Sequence, residues 1–494
     1  MAGNTAPFES HPELAWTETS PGHYTRSLGE IEKFFVLMGA AGHPIDRDCA
    51  SLSGMVTVTY RPKIKRSDPS KDPPSSWDIV RAARHAWMQL RADLTAQAVE
   101  LNPEEQTLSY DAITSQADLE EWADRTFILG FPPLTPEDVA AASKPTIGPA
   151  VMTFFPDPSS DTHRLIFHTT HWRFDAQGSL QLVERYLDLL TEVNLDDTTI
   201  PIPSQKEQAE RLTPPFEAVC GVPTMFSDET TKKIEEEFAH CRRNFPSLGM
   251  PIPDAQYPFM PASARATKIT LSKEMTKRVF AACKANKVTL TGAFNAAMVM
   301  ALQELAPREH KGRSYAFASP VSLRAAVPWP YFTSAHCVGV YVSAVLNVQE
   351  PGHDFLQMCQ NFEKSYAARS SRDFLMESVK RVTELANFLV MERPEEWGID
   401  TKPMLNALGQ AERMITEHRT SPHSSVTIGD MLPAIDVLTP ENPMYVYTWR
   451  RELTLCTCYN DAYYTEQRIH QFMDRIFSVL ERELNISVPR ESRI

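Results

Sequence analysis

Glycine is scarce in this chain: 18 of 494 residues, about 4% against an average near 7%. That excludes collagen-like repeats and long Gly/Ser linkers. Cysteine is also sparse. Cys49, Cys220, Cys241, Cys283, Cys337 and Cys359 are scattered, and Cys456 and Cys458 form the one close pair. No C-x-x-C pair occurs, so no metal site is expected. The thiols read as reduced, buried side chains of a cytosolic protein. Positive charge is in deficit, with 49 Lys and Arg against 63 Asp and Glu and a net charge of −14. Such a surface repels phosphate backbones, so nucleic acid is not an expected partner. Long apolar runs are missing too. The most apolar stretch, 288–306, is interrupted by Thr289, Thr291, Asn295, Gln303 and Glu304, too polar for a membrane-spanning helix. Residues 1–16 carry Glu9 and Glu13 and no apolar core, unlike a signal peptide. Neither G-x-S-x-G nor G-x-x-x-x-G-K-[ST] occurs, which disfavours serine hydrolases of that type and P-loop enzymes. The expectation is a cytoplasmic, soluble monomer with no membrane partner.

What is present is an ordinary globular composition, 42% hydrophobic and 23% charged, with 38 prolines; proline, at about 8%, exceeds its average near 5%. The length suits about two to three domains' worth of chain. Residues 55–60 (MVTVTY) alternate as a strand does, and 77–99 follow at helical spacing, with Asp78 as the expected cap. Short strands are predicted at 107–110 and 164–169, and helices at 116–125 and 179–193. Prolines 201, 203, 214, 215 and 223, then a second proline-rich run at 246–261, mark a connection interrupted by a charged helix at 229–243. The lobes are therefore placed at 1–200 and 262–494, joined by 201–261. The second lobe is expected to hold strands at 267–271, 316–322, 338–346 and 453–459. Its helices are expected at 273–286 (capped by Ser272), 291–305 and 465–484, with a largely helical section at 355–413. Strands and helices recur in both halves, which predicts two α/β lobes.

The strand 164–169 runs into His171-Trp-Arg-Phe-Asp175-Ala176, an H-x-x-x-D pattern. Chance supplies roughly 0.7 such spacings at average composition, and the chain holds two, the other running from His470 to Asp474. The second lies inside an amphipathic terminal helix and reads as surface. The first sits where a strand gives way to a helix, a place where side chains meet a cleft. Histidine suits a general base there, because its ordinary pKa lies near neutrality.

This pattern resembles the chloramphenicol-acetyltransferase-like superfamily, which includes plant-type CoA-dependent acyltransferases, fungal trichothecene O-acetyltransferases and peptide-synthetase condensation domains. The 15-O-acetyltransferase type is nearest in style. The resemblance extends to Val321-Ser-Leu-Arg324, the Gly-containing segment 337–341, Ser424-Ser-Val-Thr-Ile-Gly429, and the closing strand and helix. Thr170 stands where many condensation domains have a first histidine, and Ala176 where the family has glycine. The resemblance implies two similar α/β lobes with a tunnel between them and His171 at its centre as base. It implies Asp175 as structural support of the site with Arg324 as partner, and Ser424 or Ser425 as an oxyanion donor. Trp172 and Trp329, the latter in a Trp-Pro-Tyr-Phe run, are the candidates for an acceptor pocket. The implied activity is acyl transfer, by default acetyl, from acyl-CoA as cosubstrate to a hydroxyl of an apolar small molecule in fungal secondary metabolism. No bound cofactor is implied. A stand-alone condensation-like enzyme using a carrier-protein thioester or catalysing a cyclisation, and a non-catalytic binding protein, are the alternatives.

Overall fold

The computed structural model describes residues 11–63, 76–131, 149–252, 260–391 and 400–488. The expectations for residues 1–10 and for 253–259 of the second proline run therefore lie outside the described residues.

In chain order the strands are β1 (Thr17–Ser20), β2 (His23–Ser27), β3 (Leu52–Pro62), β4 (Glu100–Asn102), β5 (Thr107–Asp111), β6 (Phe127–Leu129), β7 (Val151–Phe155) and β8 (Thr162–Thr169). They continue with β9 (Ala264–Thr270), β10 (Tyr315–Ser322), β11 (Val342–Gln349), β12 (Pro403–Gln410), β13 (His418–Thr420), β14 (Ser424–Ile435), β15 (Asn442–Trp449) and β16 (Glu452–Asn460). The helices include α1 (Glu30–Ala40), α2 (Ser76–Asp93), α3 (Gln116–Thr126), α4 (Ala176–Glu192), α5 (Gln205–Glu210), α6 (Phe216–Cys220), α7 (Asp228–Arg242), α8 (Lys273–Ala285), α9 (Leu290–Leu305), α10 (Phe355–Ala368), α11 (Arg372–Ala386) and α12 (Glu466–Leu484).

The chain divides into two compact units. The first comprises 1–221, 327–341 and 412–434, and the second 222–326, 342–411 and 435–494. One crossing, at 221/222, falls inside the proline-rich connection expected at 201–261. Four more follow, so two segments of the expected second lobe belong to the first unit.

The first unit is built on a six-stranded sheet ordered β13-β14-β3-β8-β7-β6 and a four-stranded sheet ordered β1-β2-β5-β4. Val56, Val58 and Tyr60 of β3 turn inward at every second position. Helices α2 and α4 pack together, and Trp87 of α2 stands against Trp122, Phe167 and Tyr186. Asp78, expected as the cap of α2, lies instead within its first turn and pairs with Arg81.

The second unit has a four-stranded sheet ordered β12-β15-β16-β9 and the antiparallel pair β10-β11. Its core gathers Phe294, Met298 and Leu302 of α9 with Phe472, Ile476, Phe477 and Leu480 of α12, all at most 1% exposed. Ser272, Thr289 and Thr465 cap α8, α9 and α12 through their hydroxyls. The section expected as largely helical, 355–413, contains β12, which joins β15 in parallel. The strand expected at 338–346 begins only at Val342, because Gly339, with φ +150°, breaks the extended run.

Candidate active site

β8 ends at Thr169 and α4 begins at Ala176, and His171 lies in the turn between them. Register fixes where that turn emerges: Leu52 pairs with Thr169 and Ser53 with His168, so it leaves the sheet beside the start of β3. The turn closes on itself through the Arg173 N–H, which donates to the Thr170 carbonyl. It is then bound to the segment 339–341. Gly339 N–H donates to the Arg173 carbonyl at 2.8 Å, and Asp175 N–H donates to the Gly339 carbonyl at 3.3 Å. Gly339 needs its glycine here: its φ is +150°, and a Cβ would come within 3.3 Å of the Tyr341 ring.

Asp175 is 2% exposed and works at both ends of this arrangement. One carboxylate oxygen accepts the Gly178 N–H at 2.7 Å and caps α4, and the other accepts the Tyr341 N–H at 3.0 Å. Tyr341 is itself fastened by its hydroxyl, which donates to the Pro214 carbonyl. Next to His171, Arg173 is 2% exposed. Its guanidinium donates to the Gln97 carbonyl at 3.0 Å and lies 4.4 Å from the centre of the Trp172 ring. Burial lowers its pKa to about 9.

The His171 ring is half-buried. Its Nδ1 is sealed from solvent and makes no well-formed hydrogen bond, so the accessible edge is the Nε2 side. The Phe35 ring of α1 stacks on the imidazole with centroids 4.0 Å apart and planes 15° from parallel. Burial is the largest influence on the imidazole and lowers its pKa below 6.5, against the backbone of His171 and Phe174 and the Asp175 charge, which favour the proton. The ring is thus held neutral at physiological pH, as a general base requires.

The other predicted residues are distributed over both units. Ser424, fully buried, donates its hydroxyl to the Thr191 carbonyl at 2.9 Å, near the far end of α4 from His171. β14 runs along β3 with the His423 carbonyl at Lys63 N–H. Ser424 and Ser425 therefore sit roughly 30 Å along the sheet from the His171 end, at about 3.3 Å per residue. This placement speaks against the oxyanion role that the resemblance implies for these serines, and the hydroxyl of Ser424 is already engaged. Trp172 is buried at 4% exposure, whereas Trp329 is 77% exposed, so the two do not form one enclosed lining. Arg324 is buried in a short turn after β10, in the second unit. His470, in α12, contacts Thr267 and Glu466. Phe35 was not foreseen; 136 residues separate it from His171, and no motif joins them.

No group of three or more His, Cys, Asp or Glu among the described residues is placed to hold a metal ion, and no helix among them is long and apolar enough to cross a membrane. No family model matches the chain. Curated relatives do. The chain is 27% identical over 482 residues to the acetyltransferase pigO of Monascus ruber, covering 96% of this chain and 99% of that one. It is 25% identical over 482 residues to the O-acetyltransferase pigM of the same organism, covering 96% and 88%. Among solved structures it is similar to the TRI3 trichothecene 15-O-acetyltransferase of Fusarium sporotrichioides, with a TM-score of 0.78, 16% identity and coverage of 95% and 98%. The cyclization-docking bidomain EpoB of Sorangium cellulosum matches with a TM-score of 0.60, 12% identity and coverage of 97% and 90%. The chain accordingly has the fold of the chloramphenicol-acetyltransferase-like superfamily of acyltransferases and condensation domains.

Proposed function

We propose that this protein is an O-acyltransferase of fungal secondary metabolism that moves an acyl group, by default acetyl, from a CoA thioester to a hydroxyl of an apolar small molecule. The observation that carries the reading is the H-x-x-x-D turn. It presents a neutral His171 with one open edge, in a chain similar along nearly its whole length to proteins named acetyltransferases.

In this reading His171 Nε2 takes the proton from the acceptor hydroxyl as its oxygen attacks the thioester carbonyl carbon. The tetrahedral oxyanion then collapses, the C–S bond breaks, and the imidazolium returns its proton to the leaving thiolate. The products are the ester and the free thiol, with His171 neutral again. Asp175 touches neither reactant and supports the turn. The net charge of −14 disfavours docking of an acidic carrier protein; CoA is anionic as well, so the CoA reading requires a local basic patch where the donor enters.

The test is incubation with acetyl-CoA, detecting released thiol, with and without a panel of terpenoid and alkaloid alcohols. His171→Ala is expected to stay folded and to lose at least roughly 10²-fold in turnover, while His470→Ala keeps wild-type rates. Because burial lowers the His171 pKa, the acid limb of kcat/KM should lie below pH 6.5. An unchanged kcat/KM in folded His171→Ala sinks the base assignment. No CoA binding at millimolar concentration by calorimetry, together with turnover of a carrier-bound acyl group, selects the condensation-like enzyme instead.

A further inference from the structure

We propose that Phe35 is a positioning residue of this site: its ring covers one face of the His171 imidazole and fixes the plane in which Nε2 meets the acceptor hydroxyl. The inference rests on the reading of His171 as the base and adds to it a residue that no motif marks.

The geometry is specific. Centroids 4.0 Å apart with planes at 15° put the two rings in face-to-face contact, a tighter arrangement than the 5.0 Å, 73° edge contact that Phe35 makes with Phe34. An imidazole on a turn can rotate about its χ2 bond, because such terminal torsions are broad. A flat neighbour on one face removes that freedom. The sealed Nδ1 leaves the Nε2 edge as the working side, so the two restraints together select one nitrogen and one approach.

Phe35 can impose this because its helix is itself anchored. It lies in the middle of the 11-residue α1 and is 8% exposed. The first turn of α1 is held by Glu32, which accepts the Gly29 N–H at 2.8 Å and pairs with both Nη atoms of Arg26 at 2.7 and 2.6 Å. At the other end, Gly39 packs so closely on Asp48 that a Cβ would stand 2.9 Å from its carboxylate. Phe35 therefore reaches His171 from a rigid element.

The stack also bears on charge. Imidazolium forms as the base takes its proton, and a cation over an aromatic face is attracted by the ring quadrupole. Phe35 thus excludes water from the neutral ring and still offers the developing cation a favourable face. A leucine would supply the first property without the second.

Three variants separate these roles. Phe35→Leu keeps an apolar neighbour but removes the stack; kcat is expected to fall roughly 2- to 13-fold, the worth of an aromatic pair, with KM little changed. Phe35→Tyr restores the stack and should recover most of that turnover. Phe35→Ala admits water, and the pH midpoint for carbethoxylation of His171 by diethyl pyrocarbonate, followed by peptide mass spectrometry, should rise towards 6.5. That last readout needs no acceptor, and thermal melting reports the folding of each variant. Wild-type kcat in folded Phe35→Leu, or an unmoved carbethoxylation midpoint in folded Phe35→Ala, overturns the proposal. If His171→Ala is inactive while Phe35→Leu is unaffected, the positioning role alone has failed. If His171→Ala is fully active, the base assignment has failed and the positioning role with it.

Discussion

Asp175 has two carboxylate oxygens and spends both on backbone N–H groups, Gly178 at the start of α4 and Tyr341 in the segment that grips the histidine turn. This makes the aspartate a geometric requirement. Asparagine has one acceptor oxygen and would turn an NH2 group towards the second N–H. Asp175→Ala should lose the cap, worth about 1 kcal/mol, and strand a buried donor at a cost of about 1–3 kcal/mol. Asp175→Asn should lose about 1–3 kcal/mol as well, and both should reduce turnover by loosening the turn. Urea unfolding of the three proteins measures this, and a wild-type midpoint for Asp175→Asn contradicts it. At this scale the sequence was informative where chemistry and local structure coincide: an H-x-x-x-D spacing between a strand and a helix fixes both residues within one turn. It was uninformative where partners are distant. Nothing in Phe35 announces a contact with His171, and nothing in the serine pair 424–425 reveals that Ser424 bonds to Thr191.

Helix α1 illustrates how an element carries a site residue. Its first N–H groups need acceptors, and Glu217 on α6 supplies one to the Glu30 N–H. Gly29 permits the approach, since a Cβ there would stand 2.7 Å from both the Glu217 carboxylate and Pro215. Burial, with the Glu32 and Glu30 charges, pushes the Glu217 pKa up to about 7 against its own backbone bonds. A carboxyl with a folded pKa above its unfolded value near 4.5 stabilises the fold fully below pH 4.5 and loses that contribution as pH rises through 7. Glutamine keeps an acceptor for Glu30 without the charge. Glu217→Gln should thus be more stable than wild type at pH 8, by up to about 3 kcal/mol for a shift of this size, with the advantage vanishing near pH 4.5. Denaturant midpoints from pH 4.5 to 8.5 check this; curves that stay parallel refute it. The strongly amphipathic α12 and the long, largely apolar α9 were legible in the sequence. The strand β12 was not, because its exposed outer half (burial falls away after Leu405) shows little alternation. Gly339 was read as part of a strand because only its backbone angle, not its neighbours Val338 and Val340, breaks the run.

At the scale of the whole molecule, the proline-rich stretch suggested a single passage between two sequential lobes, whereas the chain passes between its compact units five times. Proline marks where chain is extended; it does not record which strands later pair. The pairing that matters most here is long-range: β14, more than 360 residues from β3, lies between β13 and β3 in the central sheet of the first unit. The same return segment supplies Arg419, which pairs with Glu184 and Asp188 of α4, and Ser421, whose hydroxyl donates to the Thr191 carbonyl. The segment 327–341 supplies the Gly339 and Tyr341 backbone that holds the histidine turn. A fragment of residues 1–221 would lack all of this. The whole edge of β3 would lie open, with its N–H and C=O groups free to recruit another chain, and Asp175 would lose the Tyr341 N–H. The fragment is therefore expected to aggregate or to show no near-ultraviolet circular dichroism, although it contains both His171 and Asp175. A soluble, monomeric fragment with a cooperative melt and dispersed amide resonances would show that the first unit folds without its returning strands. The motif would then be a local construction, with the later segments refining a turn that the first 221 residues already hold.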